Sequence, residues 1–280
     1  LENIKGKKIL KDVKENDPIN LKDIKQKVGA VIVSRMTSNR LPGKAIKKIC
    51  GKEAIEVLIN RIKKSKYVRD IILATTKNKS DDVLVEIAKK NKIFFFRGSE
   101  EDVLGRLSQA LKKRKEKYVI QLTGDNPFID PAIIDYMCEN YLMSKIDFLT
   151  NNGFMDMKKH YFPLGMDVSI FKRNDIIKIS EKTIDNEDRE HPTLYFYRSG
   201  KTKFKIKNVN ILKKWKRNFK PRLTLDTADD YALLKKIFNH FNKKEKNLYF
   251  NLEMIMNYLD KNKNLIYLNK KIKHKIPKGL

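Results

Sequence analysis

Cysteine is scarce in this 280-residue sequence, and long apolar runs are missing altogether. Its two thiols, Cys50 and Cys138, stand far apart, so they give neither a disulfide framework nor the close spacing of a metal site. The four histidines form no cluster with them, which argues against zinc. No apolar run approaches the roughly 18 residues that cross a membrane, and the first residues do not resemble a signal peptide. We therefore expect a cytoplasmic protein without a membrane span.

Acidic residues are also in short supply. The 34 Asp and Glu face 62 Lys and Arg, which gives a net charge of +28. Such a charge is typical of proteins that bind nucleic acid or an anionic membrane. Here the lysines are spread along the whole chain, and no RNA-recognition, zinc-finger or helix-turn-helix pattern accompanies them. We therefore attribute the excess to a general lysine bias and do not expect nucleic acid as the partner, although the positive field would attract anionic nucleotides.

Short apolar runs alternate with amphipathic segments along much of the chain. The runs predict strands, and the segments with apolar residues at helical spacing predict helices. Predicted strands are 30–33, 69–76, 93–97, 118–122, 147–150, 201–212 and 222–225, and predicted helices are 54–64, 80–90, 100–114, 131–142 and 252–259. This alternation predicts an α/β fold with a mostly parallel central sheet flanked by helices, and ligands at the carboxyl ends of its strands.

The stretch 30–44 reads AVIVSRMTSNRLPGK and joins a buried strand to a polar, cationic loop. Free backbone N–H groups, hydroxyls and cations in such a loop suit a polyphosphate. The Walker sequence GxxxxGK[ST] and the dinucleotide fingerprint GxGxxG are both missing from it. An ordinary basic loop between a strand and a helix is the alternative. The candidate ligand-binding residues of this stretch are Ser34, Arg35, Ser38, Arg40 and Lys44.

Three further predicted strands end in polar segments that would meet in the same crevice. Each segment alone is only a turn signal, because Gly, Ser, Thr and Asp favour turns. Several such segments that would line one crevice are less readily explained by chance. Their candidate residues are Thr75, Thr76 and Asp82 after the second strand, Ser99 and Asp102 after the third, and Asp125 after the fourth.

Two carboxylates are candidates for holding Mg²⁺. Asp125 follows a strand and a glycine, which suits a metal that bridges nucleotide phosphates, although an Asx turn is the alternative. Asp226 ends the segment PRLTLD and precedes Thr227, a candidate N-cap. We interpret Asp229 and Asp230 as charges at the start of the next helix. A magnesium ion between two distant aspartates suits a reaction in which pyrophosphate leaves.

These motifs resemble those of a known family. SRMTSNRLPGK, at 34–44, is similar to the [A/S]RxxSxRLPGK signature of sugar-activating nucleotidyltransferases. These enzymes include CMP-sialic acid and CMP-KDO synthetases and, most similar to this chain, the spore-coat polysaccharide cytidylyltransferase-like family. ATT…DD, RGSEEDVLGR, TGDNPFIDP and LTLDTADD follow in the family's order. The resemblance extends from about residue 28 to about residue 274.

The resemblance implies a Rossmann-like nucleotide-diphospho-sugar transferase fold and a reaction of CTP, or another NTP, with a sugar and Mg²⁺. Arg35, Arg40 and Lys44 would hold the leaving phosphates. The second and third polar segments would surround the base and ribose. YFPLGMDVSIF resembles the family's YPxGxDVE, with Ser169 where an acidic residue is common, and REHPT resembles REHVT. Asp167 and His191 in these two segments would contact the sugar.

Residues 1–27 precede the resembling region and have two interpretations. They are an irregular N-terminal arm, or they are the end of the antifreeze-like (SAF) domain of a sialic acid synthase, whose GKKLKKDVKKGDPL-type segment they resemble. The second interpretation, together with a first residue that is not Met, implies fusion to an upstream sugar synthase and a nonulosonic acid as substrate. Residues 28–280 would form the nucleotidyltransferase domain. A homodimer is left open.

Three alternative functions remain open from the sequence alone. The first keeps the chemistry but uses another NTP and a neutral sugar phosphate. The second is a nucleic-acid-binding protein on a Rossmann-like scaffold, whose binding would depend steeply on salt. The third is a glycosyltransferase-like protein that binds nucleotide-sugars, although the sequence near Asp125 is GDN rather than the DxD of such proteins.

Overall fold

The computed structural model describes residues 28–49, 51–156, 158–245 and 250–273. The predictions for residues 1–27, for Cys50 and for the last residues of the chain lie outside them. Cys138 is a buried free thiol, and burial raises its pKa well above the ordinary value. No helix in the described ranges has the length and apolar content to cross a membrane.

A seven-stranded sheet lies at the centre of the fold. The strands of the described residues are β1 (Val28–Val33), β2 (Lys48–Ile49), β3 (Lys52–Glu53), β4 (Val68–Thr76), β5 (Phe94–Gly98), β6 (Tyr118–Thr123), β7 (Phe148–Thr150), β8 (Ser169–Lys172) and β9 (Ile206–Asn208). The sheet order is β5-β4-β1-β6-β8-β7-β9, and β2 and β3 pair separately. Only β8 runs antiparallel to its two neighbours in the large sheet. The predicted mostly parallel α/β sheet is confirmed.

Helices cover both faces of this sheet. They are α1 (Ala54–Ile62), α2 (Asp82–Lys90), α3 (Val103–Lys112), α4 (Pro131–Leu142), α5 (Arg173–Lys182), α6 (Asn186–Glu190), α7 (Leu194–Tyr197), α8 (Ala228–Glu245) and α9 (Leu252–Lys261). Successive side chains of a strand point to opposite faces. Accordingly, Ala30 and Ile32 of β1 join the cluster that holds α1, α4, α8 and α9, whereas Val31 joins the cluster that holds α3, α5 and α7.

Helix starts agree with the sequence where a local cap decides them. Asp130 accepts from the Ala132 N–H at 2.8 Å and caps α4, with Pro131 at the first position. The helix predicted for 80–90 begins later than expected: Ser80 lies in a 3₁₀ turn, Lys79–Asp81, and α2 begins at Asp82. Tertiary contacts cause this later start, because the Asp81 carboxylate is buried and accepts hydrogen bonds from residues outside this helix.

The segment 222–225 is not a regular strand. Its backbone forms hydrogen bonds with two different loops: Leu223 N–H donates to Leu164 O, and Leu225 N–H donates to Asp125 O, both at 2.7 Å. One isolated bridge, Leu164 to Arg222, is all the β-pairing the described residues show here. Likewise only Ile206–Asn208 of the predicted strand 201–212 is extended. The segment 222–225 therefore pairs with two loops, and the residue that follows it, Asp226, lies beside Asp125.

The backbone of Gly165 lies so close to the backbone of Leu223 that we predict Gly165 to be essential for stability. Its φ is +95°, and a Cβ there would lie 2.5 Å from the Leu223 carbonyl carbon. We expect Gly165→Ala to lower the free energy of unfolding by more than the roughly 1–2 kcal/mol of a left-handed alanine alone. Gly51→Ala is the control, because Gly51 has φ +83° but open space around its Cβ position. Urea unfolding checks this, and equal losses in the two variants would contradict the collision.

Candidate active site

The carboxyl ends of β1 and β6 open into a cavity of about 470 Å³. It is lined by the loop that follows β1, by residues of β6 and β8, and by the segment that joins α6 to α7. Nine of the predicted site residues line it, as the alternation of strands and helices implies for an open sheet of this kind. They are Ser34, Arg35, Ser38, Arg40, Lys44, Asp125, Asp167, His191 and Asp226.

Lys44 joins the two predicted metal ligands. Its Nζ donates to Asp125 Oδ2 and to Asp226 Oδ1, both at 2.8 Å. Burial alone would lower the pKa of Lys44, but the charges of the two carboxylates outweigh it and raise that pKa above its ordinary value. Burial alone would raise the pKa of Asp125, but the charge and hydrogen bond of Lys44 lower it. The contact therefore favours the charged forms of Lys44 and Asp125.

A buried ion network fixes the orientation of Asp226. Its Oδ2 contacts Arg222 at 2.6 Å and Arg40 at 3.1 Å. Asp230 completes the network, because it contacts Arg222 Nε at 2.9 Å and accepts from the Asp226 N–H at 3.0 Å. Asp230 is fully buried. Asp229 and Asp230 lie in the first turn of α8, as the sequence predicts, but Asp230 also belongs to this buried network, which the sequence did not indicate. Thr227 Oγ1 accepts from the Asp230 N–H at 3.2 Å.

The donor set at this point fits a hard divalent cation. Oxygens of Asp125 and Asp226 lie within 2.8 Å of one ammonium nitrogen, so both reach one small volume. Magnesium is commonly held by one or two carboxylates together with substrate phosphates. No group of three or more Asp, Glu, His or Cys side chains is arranged to hold a metal ion in the described part of the chain. The two aspartates therefore fit Mg²⁺ only when a ligand supplies the remaining oxygens.

Glu100, between β5 and α3, holds the cationic loop after β1 in place. It accepts from Thr37 Oγ1 and from Asn78 Nδ2, and it pairs with Arg35 at 3.0 Å. The hydrogen bonds from Thr37 and Asn78 lower the pKa of Glu100. The Arg35 side chain remains 43% exposed. The loop after β1 is thereby tied to the loop after β4, while its arginine stays available to a ligand.

Asp81 makes the second anchor. Its carboxylate accepts from both hydroxyls of Thr75 and Thr76 at 2.7 Å and from the Met36 N–H at 2.8 Å. These bonds outweigh burial, which alone would raise the pKa of Asp81, and they lower that pKa. Thr75 and Thr76 are fully buried and do not line the cavity. Their observed role is to hold the loop, and a contact with base or ribose is not what the geometry favours.

The other three predicted nucleotide contacts also lie away from the cavity lining. Asp82 pairs with Arg97 at 2.6 Å and its side chain is 54% exposed. Asp102 caps α3 by accepting from Gly105 N–H at 2.8 Å, and it also pairs with Arg189. Ser99 accepts from the Asp102 N–H at 3.1 Å. Asp82 is engaged in an ion pair, and Ser99 and Asp102 in hydrogen bonds at the start of α3, so the role of these three residues in nucleotide binding stays a prediction.

Other residues face the cavity without having been predicted. Arg106 Nε and Gln121 Oε1 are buried polar atoms without a hydrogen-bond partner in the described residues, and burial together with the charge of Arg35 lowers the pKa of Arg106. His160 and Glu190 line the other end. Arg106 ends the motif RGSEEDVLGR and could have been found there, whereas Gln121 inside a strand and His160 in a loop carry no local signal.

Comparison with known proteins gives a consistent result. Residues 30–271 match the family model described as cytidylyltransferase. The spore coat polysaccharide biosynthesis protein SpsF of Bacillus subtilis is 30% identical over 215 residues, which are 74% of this chain and 85% of that protein. A cytidylyltransferase structure from Leptospira borgpetersenii serovar Hardjo-bovis has a TM-score of 0.78 and 33% identity, covering 89% of this chain and 100% of that one.

A more distant structure shares the fold. It is a CMP:2-keto-3-deoxy-manno-octonic acid synthetase complexed with CTP, with a TM-score of 0.57 at 15% identity. The match covers 77% of this chain and 99% of that one. The Rossmann-like nucleotidyltransferase fold that the sequence motifs implied is therefore confirmed.

The anchor at Asp81 yields a prediction with a defined pH dependence. Asp81→Asn removes a charged acceptor from buried donors, and we expect it to lower the free energy of unfolding by roughly 2–3 kcal/mol at pH 7. A carboxyl with a lowered folded pKa stabilises the fold above its unfolded pKa of about 4, and this contribution is lost as the pH falls through the folded pKa. The difference between the two proteins should therefore shrink below about pH 4.

Urea unfolding across this pH range measures the effect. Asp82→Asn is the matched control, because Asp82 is the adjacent aspartate but is exposed, and its loss should cost no more than about 0.5 kcal/mol. A difference between wild type and Asp81→Asn that stays constant from pH 7 to pH 3 would contradict the assigned role of the carboxylate.

Proposed function

The chain belongs to the cytidylyltransferase family and is a nucleotidyltransferase, and from this we propose that it transfers the cytidylyl group of CTP to a sugar and releases pyrophosphate. The observation that carries the proposal is the junction of Lys44, Asp125 and Asp226 at the base of a cationic loop. It joins a cationic side chain suited to a triphosphate with two carboxylates suited to its metal ion in one cavity.

The triphosphate would lie along the loop that follows β1. Arg35 and Arg40 are 43% and 35% exposed at the cavity and can each offer N–H donors to phosphate oxygens. Lys44 is held as an ammonium by its two carboxylates. A fixed positive charge lowers the energy of the transition state where negative charge accumulates on the leaving group. These three residues would therefore favour departure of pyrophosphate.

The reaction forms one bond and breaks another at the α-phosphorus. An oxygen of the sugar attacks that phosphorus, the bond to the oxygen bridging the β-phosphate breaks, and pyrophosphate carries away the electron pair. Asp125 and Asp226 would hold Mg²⁺, which when bound neutralises phosphate oxygens. The chain's own contribution is to fix both reactants in position and to stabilise the developing charge.

The acceptor we propose is a sialic-acid-like nonulosonic acid, for surface polysaccharide or glycan synthesis. The resemblance of residues 1–27 to the end of a sialic acid synthase supports it, as does the similarity to a spore coat polysaccharide protein. In such a sugar the carboxylate is next to the reacting hydroxyl and would lie near the cations of the loop. Fusion to an upstream synthase and a homodimer stay predictions.

A pyrophosphate-release screen tests donor and acceptor together. CTP, UTP, ATP and GTP are each paired with N-acetylneuraminic acid, 3-deoxy-manno-octulosonate and glucose 1-phosphate, with Mg²⁺ present. We expect release only with CTP and an acidic sugar. Release with another NTP and glucose 1-phosphate would support the alternative instead, and no release from any pair would refute the proposed function.

Asp125→Asn should lower kcat by at least about 100-fold, in the range seen when one transition-state contact is removed. The fold should persist, because Asp226 still faces Lys44. Asp229→Asn is the control, since Asp229 is an exposed acid in the first turn of α8, outside the cavity lining. Pyrophosphate release and circular dichroism are measured together. Undiminished turnover in Asp125→Asn would remove this carboxylate from the reaction.

Lys44→Met should raise the KM for CTP and lower kcat, because the positive charge acts on the bound triphosphate and on the leaving group. We expect at least about a tenfold loss in kcat/KM, corresponding to one charge-assisted contact. Lys48→Met changes an exposed lysine nearby in sequence and outside the cavity lining and should leave both constants within about twofold. Steady-state kinetics with varied CTP decides between these results.

A further inference from the structure

A buried histidine holds one acidic side chain of the cavity. His160 is 2% exposed, and its Nε2 lies 2.8 Å from Asp167 Oδ1. Both atoms are buried, and neither makes a hydrogen bond in the part of the chain that the structure describes, so the pair is a close contact between a ring nitrogen and a carboxylate oxygen. His160 lies outside the sequence motifs that led to the site. The contact therefore links an unpredicted residue to a predicted sugar contact.

The two oxygens of Asp167 have different surroundings. Oδ1 is buried against His160, yet the side chain as a whole is 29% exposed. Much of the accessible polar surface therefore belongs to Oδ2, whose described contact is a long one of 3.4 Å from the Gly165 N–H. A carboxylate with one oxygen held and the other exposed is an acceptor of fixed direction.

The backbone around His160 leaves the ring little freedom. Gly153 has φ +70°, and a Cβ there would lie 2.5 Å from the His160 nitrogen. The Lys220 ammonium donates to the His160 carbonyl. Asp167 follows Gly165, which packs against the backbone of Leu223. Both members of the pair are thus placed by backbone contacts that their own side chains do not make.

The charges along the cavity are segregated. The Lys and Arg residues that line it are Arg35, Arg40 and Lys44 of the loop after β1, and Arg106 of α3. The lining segments 152–169 and 190–197 contribute Asp167 and Glu190, together with His160 and His191, but no Lys or Arg among the described lining residues. A second negative charge placed there would meet carboxylates without a compensating guanidinium or ammonium.

We propose that His160 is a positioning residue that aims Asp167 at hydroxyl or amine groups of the sugar. The acceptor therefore carries hydrogen-bond donors, and no second negative charge, at the part that meets Asp167. This inference rests on the proposed function and specifies the acceptor that the site takes. A nonulosonic acid meets the requirement, because its carboxylate is beside the reacting hydroxyl and its polyol tail is remote from it.

The test separates acceptor binding from the other steps. Using CTP and whichever sugar of the screen gives the fastest release, we compare His160→Phe, His160→Gln and Asp167→Asn. His160→Phe keeps a ring but loses the nitrogen that contacts Asp167, and we expect the acceptor KM to rise about tenfold, as for the loss of one polar contact to a charged group. The KM for CTP and kcat should stay within about twofold, and His160→Gln, which retains an N–H donor, should recover most of the loss.

Two further results distinguish positioning from a general structural role. Asp167→Asn should raise the acceptor KM at least as much, and adding His160→Phe to it should cause no further rise, because both changes affect one interaction. His240→Phe is the control for a histidine outside the cavity lining, where a phenyl ring can keep the stacking on Tyr258. An acceptor KM unchanged in His160→Phe, or effects that multiply in the double variant, would overturn the inference.

Acceptor analogues keep the test decisive if His160→Phe does not fold. A deoxy form of the sugar that lacks a tail hydroxyl should have a raised KM with wild type, and Asp167→Asn should no longer distinguish it from the parent sugar. Equal discrimination by both proteins at every tail hydroxyl would overturn the inference while leaving the proposed function intact. Failure of wild type to release pyrophosphate from any pair would refute both.

Discussion

The site depends on one cation that compensates two carboxylates from distant parts of the chain. The Lys44 ammonium contacts Asp125, 81 residues away, and Asp226, 182 residues away. Two carboxylates this close would repel each other, and one would take up a proton if no positive charge lay between them. The carboxylates offer the negative charge that a divalent cation requires, and the ammonium offers the positive charge that a triphosphate requires. The arrangement that balances the charges of these three side chains is therefore complementary to the proposed ligands.

The backbone brings these groups together through a segment that pairs with two partners. Leu225 N–H donates to the carbonyl of Asp125, whereas Leu223 N–H donates to Leu164 O. The first bond sets Asp226 beside Asp125, and the second brings the Gly165 loop, with Asp167, to the same place. One short segment thus donates two of its N–H groups to two different loops. The irregularity at 222–225 thus couples the proposed phosphate end of the cavity to its acceptor end.

The sequence predicts those features that local pattern decides. The apolar run of β1, the cap at Asp130 and the polar loops at strand ends all follow from period, propensity and turn chemistry. The pattern does not tell which of two adjacent aspartates is buried. Asp81 rather than Asp82 enters the core because the Met36 N–H and two threonine hydroxyls meet it there. The burial of Asp230 and the position of His160 in the cavity lining were not predicted, because such contacts between side chains leave no periodic or turn signal in the sequence.

The net charge of the chain also says little about which ligands the cavity selects. The chain carries +28, yet the acceptor end of its cavity presents acidic side chains and histidines among the described lining residues. The long-range field accelerates the approach of any anion, and so it cannot separate a triphosphate from a negatively charged sugar tail. Only short-range contacts, with the arginines of the β1 loop on one side and Asp167 on the other, can impose that difference. Selectivity in this site therefore arises within a few ångströms of the ligand, in opposition to the charge of the protein as a whole.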